Sequence, residues 1–116
     1  MQLAKEQAAR LRFGASRERA RQVELDLRQT LSSALGNAKV ALTSYKAGKE
    51  DTRIKKHIWH ISEEGYRAGK LSSIDLILAQ QEWFNSQQAQ LKQIANLRYA
   101  VARMHLLMGQ LAKDDL

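Results

Sequence analysis

Three side chains near the middle of the chain have the types and spacing to bind a metal ion. His57 and His60 stand three apart and Glu64 comes four residues later, so a helix would carry all three on one face. Imidazole and carboxylate donors suit zinc or copper, but a closed site needs further ligands held in fixed geometry. The one other histidine is His105, far along the sequence, and the absence of cysteine removes thiolate sites and disulfides. The trio therefore reads as a surface group. Nucleophilic catalysis lacks its parts as well: there is no Ser-His-Asp or Cys-His set and no glycine-rich phosphate loop after a strand. The expectation is a chain with no metal, no cofactor and no reaction of its own.

Two other groups could serve recognition. Trp59, Tyr66, Trp83 and Phe84 gather within reach of one short stretch, either packed between helices or offered to a partner helix. The charge is also uneven. Of the net +7, residues 1–70 hold 15 Lys/Arg against 8 Asp/Glu, whereas residues 71–116 hold 4 against 4. A basic first arm could attract nucleic acid or anionic lipid. Yet Glu6–Arg10, Glu24–Arg28 and Glu63–Arg67 alternate in sign at the i,i+4 spacing that solvated helix faces favour.

The elements that position these groups are helices. The chain of 116 residues has no proline, 44% hydrophobic residues and only 6% aromatics, and it is rich in Ala, Leu, Gln, Arg and Lys. Nothing in it interrupts a helix strongly, and alternating strand patterns are missing, so the fold class is all-α. No apolar run approaches the ~18–20 residues that a membrane-spanning helix needs, and Gln2-Leu3-Ala4-Lys5-Glu6 offers no signal-peptide core.

The sequence divides into five segments. Residues 1–20 form a poorly patterned helical lead-in, open to fraying or a break near Gly14. Residues 20–66 form a first long helix, 67–73 a tip, 74–110 a second long helix with Gly109 as its cap, and 111–116 a frayed tail. In the first helix Leu27, Leu31, Ala34, Ala38, Ala41, Tyr45, Gly48 and Thr52 make a heptad seam. A phase shift near Lys49-Glu50-Asp51 is expected to pass the seam to Ile54, Ile58 and Ile61. In the second helix the leading stripe is Ile77, Gln80, Phe84, Gln87, Leu91 and Ile94, continued after a slip by Leu97, Val101, Met104, Met108 and Leu111. Leu76, Trp83, Leu97, Met104 and Leu111 make a second stripe that wants a further partner.

An antiparallel hairpin centred on Gly69 would bring together residues whose numbers total about 138. The seams obey this, with Ala34 opposite Met104, Ala38 opposite Val101 and Ala41 opposite Leu97. Small residues opposite large ones let helices interdigitate at native density. Gly36 and Gly48 are expected as close-packing positions within it.

The centre of this register is Gly65-Tyr66-Arg67-Ala68-Gly69-Lys70-Leu71-Ser72-Ser73-Ile74-Asp75. Gly69 can adopt the left-handed conformation that ends a helix. Ser72 and Asp75 can form the capping box that begins the next.

The tip and the second helix resemble those of the TolC-like outer-membrane efflux proteins. The matching pattern is Tyr66, Gly69, Ser72 and Asp75, then Leu76-Ile77-Leu78, Ala79-Gln80 and the Gln/Ala-rich run Asn85-Ser86-Gln87-Gln88-Ala89-Gln90-Leu91. The close, Tyr99-Ala100-Val101-Ala102-Arg103-Met104-His105-Leu106-Leu107-Met108-Gly109, is also similar. The resemblance covers about residues 20–111. It implies a coiled-coil-like hairpin from a TolC-type α-barrel, the periplasmic part of an outer-membrane protein. It further implies a trimer in full-length members and a tip that docks a periplasmic adaptor protein serving an inner-membrane pump. Gly69, Leu71 and Ser72 are then the adaptor contacts, and Tyr66 and Asp75 lie near the gate. Leu71 and Leu78 stand where some members carry arginine and aspartate, so an ionic gate of that kind is not implied. Relative to the family pattern, with its signal peptide, barrel strands and second repeat, the chain reads as a fragment. The alternative is a stand-alone helical-hairpin protein binding nucleic acid or anionic lipid through its basic first helix; steep salt dependence of binding would mark it.

Overall fold

The computed structural model describes residues 2–114. It consists of two helices, α1 (Gln2–Arg67) and α2 (Ser73–Asp114), and the described residues include no strand. The all-α expectation holds. α1 runs through Gly14 unbroken, because one glycine weakens a helix without stopping it. Gly109 does not cap α2, which continues to Asp114, past the start of the expected frayed tail; Asp115 and Leu116 lie outside the described residues.

The chain divides into two units. One takes Asn37–Ala102; the other takes α1 up to Gly36 and α2 from Arg103.

In the Asn37–Ala102 unit α1 and α2 fold back against each other as a hairpin. The α1 residues drawn out of solvent are Ala38, Ala41, Tyr45, Gly48, Thr52, Lys55, Trp59 and Ser62. Those of α2 include Leu76, Ala79, Trp83, Ser86, Gln90, Gln93, Leu97 and Ala100. Each series keeps strict three-four spacing, the period of a coiled-coil seam. Contacts fix the pairing: the Thr52 hydroxyl donates to the Ser86 carbonyl at 3.3 Å, Lys55 reaches Glu82 at 3.8 Å, and the Trp59 and Trp83 rings lie 5.0 Å apart. The centre at Gly69 is the one the register required.

The residues filling that register differ from expectation. α1 undergoes no phase shift after Thr52: Lys55, Trp59 and Ser62 continue the seam, while Ile54, Ile58 and Ile61 stand in solvent. On α2 the leading stripe is exposed from Ile77 through Phe84 to Leu91 and turns half-buried only at Ile94, whereas the second stripe with Leu76 and Trp83 faces inward. The physical reason is closeness. Gly48, Thr52, Ala79 and Ser86 are small and let the backbones approach at their positions of the seam, where isoleucine or phenylalanine would hold them apart. A Cβ at Gly48 would overlap the Gln93 side chain, which makes Gly48 the close-packing position expected. Gly36 is not one, since a Cβ there would meet nothing within 4 Å.

In the other unit the buried positions are Ala34 and Leu107, with Leu27, Leu31, Met104 and Leu111 half-buried around them. Leu107 holds the place expected of Met108, which is exposed, because the α2 spacing of three then four stays in phase. The α1 residues from Gln2 to Val23 are exposed.

Candidate functional site

The turn between the helices is built almost wholly from backbone bonds. Gly69 has φ +73°, the left-handed conformation, and is the described residue with positive φ. Its N–H bonds the Tyr66 carbonyl at 3.0 Å, and the Lys70 N–H bonds the Gly65 carbonyl at 2.8 Å. These two bonds make a Schellman motif, which satisfies carbonyls that the end of α1 would leave open. The Leu71 N–H adds a second bond to the Gly65 carbonyl at 3.2 Å.

Ser72 then opens α2. Its hydroxyl accepts from the Asp75 N–H at 3.2 Å while its own N–H donates to the Asp75 carboxylate at 3.3 Å. The Ser72 hydroxyl also lies 2.9 Å from the same carboxylate oxygen. This is a reciprocal capping box, with the acidic side chain placed where the helix dipole favours it.

The sequence-derived candidates thus fall into two kinds. Gly69, Ser72 and Asp75 build the turn, and the Asp75 carboxylate is engaged with Ser72. Tyr66 and Leu71 remain 46% and 38% exposed, and Ile74 and Leu78 beside them are more open still. Together these four give the end of the hairpin an apolar surface, with basic Arg67 and Lys70 alongside. Arg67 is held by Glu63, four residues back.

Gly65 is the residue that sequence reasoning missed. It accepts two of the turn's bonds, and the Leu71 side chain rests on its bare Cα: a Cβ there would lie 2.8 Å from Leu71 Cδ1. The available signal was a glycine three residues inside a helix end with a leucine six positions later.

Away from the tip, the aromatic group splits. Trp59 and Trp83 pack within the hairpin, with the Lys56 ammonium 5.9 Å from the Trp83 ring, whereas Tyr66 and Phe84 face solvent. His57, His60 and Glu64 are not brought together as a site: among the described residues no group of three His, Cys, Asp or Glu could hold a metal. The basic character of α1 is tempered locally. Glu24–Arg28 and Glu63–Arg67 form as expected, and Glu50 pairs with Arg53. The Arg53 hydrogen bond holds the Glu50 carboxyl below its usual range, and Glu50 raises Arg53 in return.

Such an arrangement can recognise another surface. No described helix is long and apolar enough to cross a membrane. Against known proteins, a family model described as outer membrane efflux protein matches residues 3–110. No curated protein and no solved structure matches the chain.

Proposed function

This chain belongs to the outer membrane efflux protein family, and from that premise we propose that its hairpin is wall and docking tip of a periplasmic tunnel. The tunnel passes solute outward without any chemical reaction. Its wall forms when hairpins pack side by side, in trimers of the full-length channel. At the tip, Leu71 and its neighbours, held by Gly69 and Ser72, meet the helical hairpin of a periplasmic adaptor protein that serves an inner-membrane pump. Tyr66 and Asp75 stand on the gate side.

The observation that carries this reading is the pair of stripes left over once the seam is filled. Ile54, Ile58 and Ile61 on α1, and Ile77, Phe84 and Leu91 on α2, stay exposed although the hairpin is complete. Rows of this kind on a finished unit mark surfaces that meet other chains, and a tunnel wall needs such surfaces along each of its staves. The tip adds a compact apolar surface between capped helix ends.

A photo-reactive side chain at position 74 of the intact channel tests the tip. It should cross-link a periplasmic adaptor protein, whereas the same group at position 43 should not. Assembled channels that give equal or no cross-linking at both positions would remove the docking assignment.

A further inference from the structure

Gly65 occupies an ordinary helical conformation, since positive φ is confined to Gly69 among the described residues. Its backbone therefore does not require glycine, and glycine is the weakest helix former after proline. What does require it is space. A Cβ at position 65 would lie 2.8 Å from Leu71 Cδ1, 3.1 Å from Cγ and 3.8 Å from Cβ, so it would overlap the outer end of the side chain and meet its base at ordinary contact distance. The backbone of residue 71 is meanwhile tied to the same residue, through the bond from Leu71 N–H to the Gly65 carbonyl, beside the bond from Lys70. Leu71 is thus fastened to Gly65 at both ends, by its amide and by its Cδ1 methyl. This also accounts for Leu71 being less exposed than Tyr66, Ile74 and Leu78 around it.

We propose that Gly65 is a positioning residue for docking: its bare Cα is the seat that folds Leu71 back onto α1 and sets the surface that the tip offers to its helical partner. The inference rests on the docking reading above. In Gly65→Ala the backbone of residue 71 stays anchored by the Schellman bonds on one side and the capping box on the other. The leucine side chain, flexible and at the surface, is the part that yields. It swings outward, and the tip changes shape while the helices persist.

Two measurements test this on the same variants. By NMR on this chain, the unaltered protein should give a cross-peak between the Leu71 methyls and the Gly65 α protons. Gly65→Ala should lose the contact to position 65 while keeping its helical spectrum, and its melting temperature should not fall, because alanine gains helix propensity at this position. In the intact channel, capture of a periplasmic adaptor protein that cross-links the unaltered tip should fall about fivefold or more in Gly65→Ala, within the range of a tip contact. Trimming the striking atom in Gly65→Ala/Leu71→Val should restore part of the capture, a recovery that general loosening of the tip would not give. Retention of the 65–71 contact in Gly65→Ala overturns the seat. Loss of the contact with unchanged capture overturns its role in docking. If Leu71→Asp also leaves capture unchanged, the fault lies in the docking reading itself.

Discussion

Thr52 on α1 donates its hydroxyl proton across the hairpin to the carbonyl of Ser86 on α2, at 3.3 Å. The two residues sit at equal distance from Gly69 along the sequence, and Ser86 is buried. A small hydroxyl residue facing another at the middle of the seam defines which side of each helix is inside.

That phase can be tested by volume. Ser86→Leu forces a larger side chain between closely spaced backbones and should cost about 1–3 kcal/mol, the usual range for overpacking. Phe84→Ala, two residues away on the outer surface, should change the stability of the isolated chain by less than about 0.5 kcal/mol. Thermal or urea unfolding followed by helicity measures both. The opposite ranking would restore Phe84 to the seam and displace Ser86.

The glycines should separate by sign. Gly36→Ala meets nothing and gains helix propensity, so it should stabilise by about 0.5–1 kcal/mol. Gly48→Ala gains the same propensity, but its methyl falls on the amide end of the Gln93 side chain, which must turn aside, so its gain should fall short of that of Gly36→Ala. Gly69→Ala has open space but must hold φ +73°, at a cost of about 1–2 kcal/mol. The three melting curves, recorded together, check local packing at one site, its absence at another and backbone strain at the third.

Acid should weaken one surface pair in a definite direction. The Glu50 carboxyl titrates below its usual range because Arg53 hydrogen-bonds it. A carboxyl depressed in the folded state adds stability that is present above its unfolded pKa and is lost as pH falls through the folded one. The pair is fully exposed, so the contribution is small. In an NMR titration Arg53→Gln should return the Glu50 midpoint upward to the ordinary carboxylate range. An unchanged midpoint would mean that the bond is not made in solution.

Much of this architecture was legible in the residues. The capping box was readable because Ser72 and Asp75 act through local hydrogen bonds whose spacing is fixed by helix geometry. The register was readable because antiparallel pairing about Gly69 is a matter of counting. The inward faces of Ile54–Ile61 and of α2 were not. Hydrophobicity ranks Ile54 above Lys55 and Phe84 above Ser86, but close helix approach rewards small size, and the lysine stem can line a seam while its ammonium reaches Glu82. The part played by Gly65 was hidden for a related reason. A missing methyl group becomes visible only when the side chain six residues later is seen to fill its place.

The mirror-like register about Gly69 also dictates an order of assembly. In the Asn37–Ala102 hairpin, each successive pair outward encloses a longer stretch of chain, so the entropic cost of closing a first contact grows with distance from the turn. The contact of Leu71 with Gly65 closes a short loop, and Trp59 with Trp83 a far longer one. Once the first is made, every next pair needs only the few residues beyond the last to be brought in. Loop entropy therefore favours closing the hairpin from its tip outward, as a zip is drawn from one end.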